Sequence, residues 1–358
     1  MVFAFNREAF GRLGSALLLV LLGLAAGALH AEDESGAPRR AALRERIAER
    51  MEQRQQAREG ATARSASGAR PGVGEHTMEL QHDGIERKAI LHVPASYRDG
   101  QPMALVLAFH GGGGHAEYMA DDERYGLISA AERHGFVVVF PNGYSKLPGG
   151  RFATWNAGGC CGDARDKQID DVGFVRALTK RLQSQLSIDA RRIYATGMSN
   201  GGMMSHRLAC EAADVFAAVA AVAGTDATSQ CQPSRPIAVL HIHARDDSHV
   251  LFDGGAGKDA FRDRSQVMDF VSVPDTMARW TQRDQCRAGP SRVLDKPGAY
   301  CERWEPCAGG AEVQLCVTET GGHSWPGAEK TRRGKPGASQ AIDADETIWD
   351  FFSRHRLP

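Results

Sequence analysis

The sequence predicts an α/β fold in which a mostly parallel central sheet carries helices on both faces. Short apolar runs recur from Met78 onward and alternate with stretches of helical periodicity. One of them, Phe136 to Phe140, is apolar at every position between Gly135 and Pro141. A strand with one wet face would alternate apolar with polar residues, so an unbroken run is the pattern of a strand buried on both sides. Strands interleaved with helices are the pattern of a parallel sheet with covered faces.

In chain order, strand-like runs at Met78 to His82, Arg87 to Val93 and Met103 to Phe109 open the domain, and the last leads into His110-Gly111-Gly112-Gly113-Gly114. After Phe136 to Phe140, periodicity predicts a helix over Asp171 to Gln185 and a strand over Arg192 to Thr196. A helix from Asn200 to Cys210, the apolar run Phe216 to Ala223 and a strand over Pro236 to His243 follow. No internal repeat is present.

The 358 residues divide into three expected parts: a signal peptide (1–31), a charged linker (32–74) and one large α/β domain (75–358). Arg7 and Arg12 precede an apolar run from about Ala16 to Leu29 that closes on small residues around Ala28 and Ala31. That is the build of a secretory signal, and the run is shorter than the roughly 20 apolar residues of a bilayer-spanning helix. The expectation is therefore a secreted protein, extracellular or periplasmic, with no stable membrane anchor. The first cysteine is Cys160, so none adjoins the apolar run to take a lipid. Between Pro38 and Pro71, nine arginines and four glutamates surround Leu43, Ile47 and Met51 at helical spacing, which reads as a partly disordered helical linker. The net charge of -1 and pI near 6.9 leave no electrostatic footprint for nucleic acid. Eight cysteines in an exported chain imply disulfides.

The chemistry gathers around Gly197-Met198-Ser199-Asn200-Gly201, which falls between a predicted strand and a predicted helix. A strand that turns sharply into a helix thrusts the serine hydroxyl outward, and its neighbours must be small for the turn to close. With 40 glycines in the chain the five-residue pattern alone is weak. Order strengthens it, because nucleophile, acid and histidine follow one another in this kind of fold. Ser199 is followed by Asp246 and Asp247 after a predicted strand, and then by His323 within Gly321-Gly322-His323-Ser324-Trp325-Pro326-Gly327. Ligand sites in open α/β sheets lie beyond the carboxyl ends of strands, where these residues can meet. His323 is the expected base, with one of the two aspartates holding its ring. The glycine loop after His110 is expected to aim backbone amides at a developing oxyanion, so the hole is assigned to the amides of Asn200 and of Gly111 or Gly112. A phosphate loop is disfavoured because no Gly-Lys-Ser/Thr follows. His241, His243, Asp246, Asp247 and His249 also read as a possible metal cluster, with His241 and His243 on one strand face. Acyl transfer is the stronger reading, and neither a metal nor a cofactor is expected.

On these residues the chain resembles, from about Met78 to its C-terminus, the secreted esterase family that groups polyhydroxybutyrate depolymerase-like proteins with feruloyl and acetylxylan esterases, within the α/β-hydrolase superfamily. The resemblance implies that fold and a serine esterase activity without a cofactor. The family pattern His-Gly-x-x-Asp-x-x-Val aligns with His243-Ala244-Arg245-Asp246-Asp247-Ser248-His249-Val250 and selects Asp247 as the acid, with Ala244 standing where glycine is usual. Trp155-Asn156-Ala157-Gly158 with Cys160-Cys161, and Asp170-Asp171 before Val172-Gly173-Phe174, also look like the family. Trp155 and Trp325 are read as flanking the substrate cleft, against ordinary aromatic packing. The resemblance pairs Cys210 with Cys231 and Cys286 with Cys307, which leaves Cys301 with Cys316; Cys160 and Cys161 stay open. The implied partner is an ester substrate, polymeric in the case of a polyhydroxyalkanoate or a plant cell-wall polysaccharide ester. The rival functions are a serine peptidase of the same fold and a non-catalytic envelope or carbohydrate-binding protein.

Overall fold

The structure is a computed structural model that describes residues 70–358 apart from 262, 332, 333, 335 and 336. The chain divides into Met1–Ala63, which lies outside the described residues together with the expected signal peptide and nearly all of the linker, and Arg64–Pro358. The elements of the second unit are β1 (Gly74–His82), β2 (Ile85–Val93), β3 (Met103–Phe109), α1 (Ala116–Met119), α2 (Asp122–Tyr125), α3 (Leu127–His134), β4 (Phe136–Pro141), α4 (Gly162–Asp166), α5 (Asp171–Gln185) and β5 (Ile188–Met198). They continue with α6 (Asn200–Glu211), β6 (Ala218–Val222), β7 (Ala238–Ala244), α7 (Val273–Arg283), β8 (Ser291–Lys296), β9 (Ala299–Trp304), β10 (Val313–Thr318) and α8 (Ala344–Ser353).

These strands form one sheet in the order β1-β2-β4-β3-β5-β6-β7-β10-β9-β8. The six from β4 to β10 run parallel, while β1 and β2 at one edge and β9 and β8 at the other are antiparallel additions. The continuous apolar runs have their physical reason here. In β3, Leu105, Leu107 and Phe109 join one core and Ala104, Val106 and Ala108 the other; Val137 and Val139 of β4 face the first, Phe136, Val138 and Phe140 the second. The first core is closed by α5, α6 and α7 through Leu178, Leu182, Met204, Leu208 and Trp280, the second by α3 and α8 through Ala131, Ile348, Phe351 and Phe352. Both faces are thereby removed from water.

Local chemistry sets where the helices begin. Asp170 caps α5 by accepting the Gly173 amide, and Ser272 caps α7 at the Asp275 amide ahead of Pro274. The next residue, Asp171, turns inward to a buried pair with Arg87 of β2 at 2.6 Å and also accepts the Asn156 amide at 2.8 Å. So the Asp170-Asp171 couple splits into a helix cap and a tie between helix, sheet edge and the segment after Thr154.

All eight cysteines are paired: Cys160–Cys161, Cys210–Cys231, Cys286–Cys307 and Cys301–Cys316. Cys301 and Cys316 stand opposite each other in the β9–β10 ladder. The three long-range bridges contribute roughly 2 to 4 kcal/mol each by restricting the unfolded chain, whereas a bridge between neighbours closes no loop and acts only on its own turn.

Candidate active site

Strand β5 ends at Met198, and the chain reverses through Ser199 into α6. Ser199 adopts φ 57° and ψ -122°, a backbone region that L-residues occupy only when their surroundings hold them there. Its amide donates to the Val222 carbonyl of β6 at 2.8 Å. The flanking glycines are required by close approach: a Cβ on Gly197 would stand 2.6 Å from the Phe109 carbonyl oxygen and from the main chain of Gly201, and one on Gly201 would collide with that same Phe109 oxygen. The turn is thus wedged against the end of β3, where the glycine loop starts. A Cβ on Gly111 would lie 3.3 Å from the Ser199 Cβ, and one on Gly112 3.6 Å from the Asn200 Cβ, which puts both loop residues alongside the serine turn.

That loop is held from below by His110, which is fully buried. Its Nε2 accepts the Gly143 amide at 3.0 Å, so its Nδ1 carries the proton and donates to the Gly111 carbonyl at 2.8 Å. Burial drives the His110 pKa down to about 4, keeping the ring neutral. Trp155 is part of the same support. Its indole donates to the His110 carbonyl at 3.0 Å, its amide donates to the Asn200 Oδ1 at 2.7 Å and its carbonyl accepts from the Asn200 Nδ2 at 3.1 Å. Asn200 therefore spends its side chain on Trp155 and begins α6 with its amide at the serine turn. Trp155, read from the sequence as a wall of the cleft, is instead fully buried behind it and lines neither cavity beside Ser199.

Asp247 and His323 follow the ends of β7 and β10, which are hydrogen-bonded neighbours. His323 Nδ1 donates to Asp247 Oδ2 at 2.7 Å, and Asp247 Oδ1 accepts the amides of His249 and Val250 at 2.7 and 3.1 Å. Burial works to raise the Asp247 pKa, but the His323 charge and hydrogen bond, with His243 and the His249 amide, outweigh it and bring it to about 2. The carboxyl is ionised at any pH near neutrality. Asp246 turns the other way and accepts the Gly322 amide at 2.8 Å, tying down the loop one residue before His323. The His249 ring stacks on His323 with centroids 4.4 Å apart and planes at 15°.

Ser199 and His323 border two cavities. One, of about 120 Å³, has an apolar side made by Cys161, Met203, Val250, Phe261, Val267 and Phe270 and a polar side made by Asn200, His249 and Asp259. The other, of about 40 Å³, is bordered by Tyr118, Tyr125 and Trp325 with Arg124 and Lys330 at its side. The three rings meet edge to face, Tyr118 to Tyr125 at 5.9 Å and Tyr125 to Trp325 at 5.5 Å, and the Trp325 indole donates to Asp345 at 3.0 Å. Trp325 thus borders the cleft while being almost wholly buried.

The five residues read from the sequence as a metal cluster do not converge: Asp246 is drawn to Gly322, and His241 and His243 bond to each other. Among the described residues, Asp247, His249 and His323 bring ligand atoms within 4.8 Å of one another. Both Asp247 oxygens and His323 Nδ1 are already engaged in hydrogen bonds, however, which is the donor set of an oriented base rather than of a metal centre.

Residues 89–275 match the family model described as esterase PHB depolymerase, just over half of the chain. The chain belongs to the esterase PHB depolymerase family. Feruloyl esterase B of Piromyces equi is 31% identical over 76% of this chain and 46% of its own length, so the chain spans about half of that relative. The bifunctional acetylxylan esterase/xylanase of Neocallimastix patriciarum is 24% identical over 76% of this chain and 34% of its length. Among solved structures, an acetyl xylan esterase from Aspergillus awamori superposes with a TM-score of 0.52 at 14% identity, covering 77% of this chain and 98% of that one. The fold of this family member is that of the α/β-hydrolases.

In this esterase PHB depolymerase family member, sequence reasoning missed Asp246 as a tether, Trp155 as a support and His206 as a buried polar residue. Asp246 had a signal in its adjacency to Asp247. His206 had none, because a histidine at helical spacing among apolar residues reads the same whether it is bonded or merely packed.

Proposed function

We propose that this protein is a secreted serine carboxyl-ester hydrolase acting through Ser199, His323 and Asp247. The observation that carries the reading is the 2.7 Å bond from His323 Nδ1 to a buried, ionised Asp247, with His323 and the strained Ser199 turn bordering the same cavities. Ser199 Oγ attacks the ester carbonyl and passes its proton to His323 Nε2. The amides of Asn200 and of Gly111 or Gly112 hold the oxyanion, each such donor contributing about a hundredfold to a thousandfold in rate. His323 returns the proton to the departing alcohol, and water then frees the acid from the acyl-enzyme by the same route. Asp247 stays ionised throughout, fixing the tautomer and stabilising the imidazolium.

Pairing of all eight cysteines supports export to an oxidising compartment, and no helix among the described residues is long and apolar enough to cross a membrane. The names of the relatives favour feruloyl or acetylated polysaccharide esters, and the family description favours hydroxyalkanoate esters. The apolar side of the larger cavity beside Ser199, formed by Met203, Phe261, Val267 and Phe270, suits a short acyl chain or an aromatic acyl group.

The test is hydrolysis of p-nitrophenyl acetate and butyrate with labelling of Ser199 by a serine-directed phosphonate, using Ser199→Ala as control. Activity and label that both vanish in Ser199→Ala support the reading; an inert, unlabelled wild-type protein overturns it. Hydroxybutyrate oligomers, methyl ferulate, acetylated xylan and a peptide panel then assign the substrate, and cleavage of peptides alone would make the protein a peptidase.

A further inference from the structure

A file of buried side chains runs from α7 through α6 and β7 to the Asp247 loop. The Trp280 indole donates to His206 Nδ1 at 3.0 Å, and His206 Nε2 lies 3.3 Å from His241 Nδ1. His241 Nε2 lies 3.1 Å from His243 Nδ1, and His243 Nε2 meets the Val250 carbonyl at 2.9 Å and Asp247 Oδ2 at 3.4 Å. None of the four side chains is more than 1% exposed.

The two ends dictate every proton between them. An indole N-H can only donate and a carbonyl oxygen can only accept, so each imidazole must accept at Nδ1 and donate from Nε2. Four bonds use four protons, one from the indole and one from each ring, and the Gly224 carbonyl shares the proton of His206. An extra proton on any ring would set two N-H groups facing each other. The rings are therefore held neutral, and burial lowers the pKa of all three. The resulting file of N-H dipoles ends on the Val250 carbonyl, with Asp247 Oδ2 3.4 Å from the same nitrogen, while the Val250 amide donates to Asp247 Oδ1 at 3.1 Å.

Three imidazoles in a core that apolar side chains could fill are a costly choice unless their order is used, because each leaves two polar atoms to be satisfied out of water. We propose that the Trp280-His206-His241-His243 chain is a positioning device for Asp247, which fixes the 247–250 loop through Val250 and places a polarised N-H beside the carboxylate that orients His323. This rests on the Ser199-His323-Asp247 reading. The charged and titratable groups facing the chain are Asp226 and Arg283 beside His206, joined to each other at 2.7 Å, with Arg279 behind Asp226, and Asp247 and His323 beside His243. His249 faces His323 from its other side.

Removing the last donor leaves Asp247 a stronger partner for the imidazolium, so the acid limb of the kcat/KM profile moves to higher pH. The experiment compares wild type with His243→Leu, His243→Gln and Trp280→Phe on p-nitrophenyl butyrate. It follows the pH profile, the kcat and KM split and the downfield Nδ1-H resonance of His323, with phosphonate labelling of Ser199 checking the nucleophile in each. Expected are an upward shift of the acid limb, a loss of about tenfold in kcat with KM within about twofold for His243→Leu, and recovery of most of it in His243→Gln, whose amide can still donate to Val250. Trp280→Phe, three rings away, should shift the limb in the same direction by less and keep KM. The proposal is overturned if every folded variant among Trp280→Phe and His243→Leu, labelled at Ser199, keeps the wild-type profile and resonance. Failure of the underlying triad reading would look different: Ser199→Ala would remain active, or wild type would take no label.

Discussion

Asp246 accepts the amide of Gly322 at 2.8 Å while its neighbour Asp247 accepts the ring of His323 at 2.7 Å. Two consecutive carboxylates therefore hold the backbone and the side chain of one loop. Asp247→Asn should lower kcat by about ten-thousandfold, the scale seen when a triad acid can no longer fix the tautomer. Asp246→Ala leaves that bond in place and loosens only the loop, so its loss should be about tenfold or less. Steady-state kinetics on one activated ester separates the two, and equal losses would contradict the division of roles.

Gly201 offers a second check, on the turn itself. A methyl group there meets the Phe109 carbonyl oxygen, a main-chain atom that cannot swing aside. Gly201→Ala should destabilise the protein by about 3 kcal/mol or prevent folding, the upper range for overpacking. A melting temperature within a degree or two of wild type would show that the turn has more room than these contacts allow.

Acid should weaken the fold in a definite window. His110 and His206 have folded pKa values near 4, against 6.5 for a free histidine. The unfolded chain then binds protons that the folded one refuses, so stability is full above pH 6.5 and falls as pH drops from there to about 4. Asp247, depressed to about 2 from 3.8, keeps its contribution through that window and loses it only below. Asp284, pushed up to about 7 by burial, works the opposite way over the same window, so calorimetry of Asp284→Asn at pH 7 and pH 4.5 should give a melting temperature lower by several degrees at the acid value, and an unchanged one would refute neutral burial of these rings.

The apolar side of the larger cavity predicts acyl selectivity. Val267 lines it together with Ser199, and Val267→Phe should fill space that a butyryl tail would enter and an acetyl group would not. The butyrate-to-acetate ratio of kcat/KM should fall about tenfold, in line with the discrimination that one or two methylenes provide. An unchanged ratio would move the acyl group to the aromatic side of the cleft.

What was legible beforehand followed from burial and from short-range constraint. The strands from β3 to β7 were readable because both faces are covered, and the serine turn because close approach demands glycine on either side. Strand β8 was not, since Arg292, Asp295 and Lys296 give it the exposed, charged look of a loop; it forms because β9 offers it a free edge. The direction in which Trp155 faces was also hidden. Its residue type suits a cleft wall, while its actual work is done through its indole N-H and its main chain.

Asp247 and His323 are 76 residues apart along the chain, yet their separation in space is set by a single rung of the sheet, where the Arg245 amide donates to Thr318 at 2.8 Å. The excursion between them, which contains α7, β8 and β9, leaves and returns at adjacent strands. In engineering terms that stretch is a cassette: the outermost strand β8 can be shortened, lengthened or exchanged while the two residues keep their alignment. The parts that must stay are the face of α7 that carries Trp280 and strand β9, which Cys301 ties to Cys316 of β10.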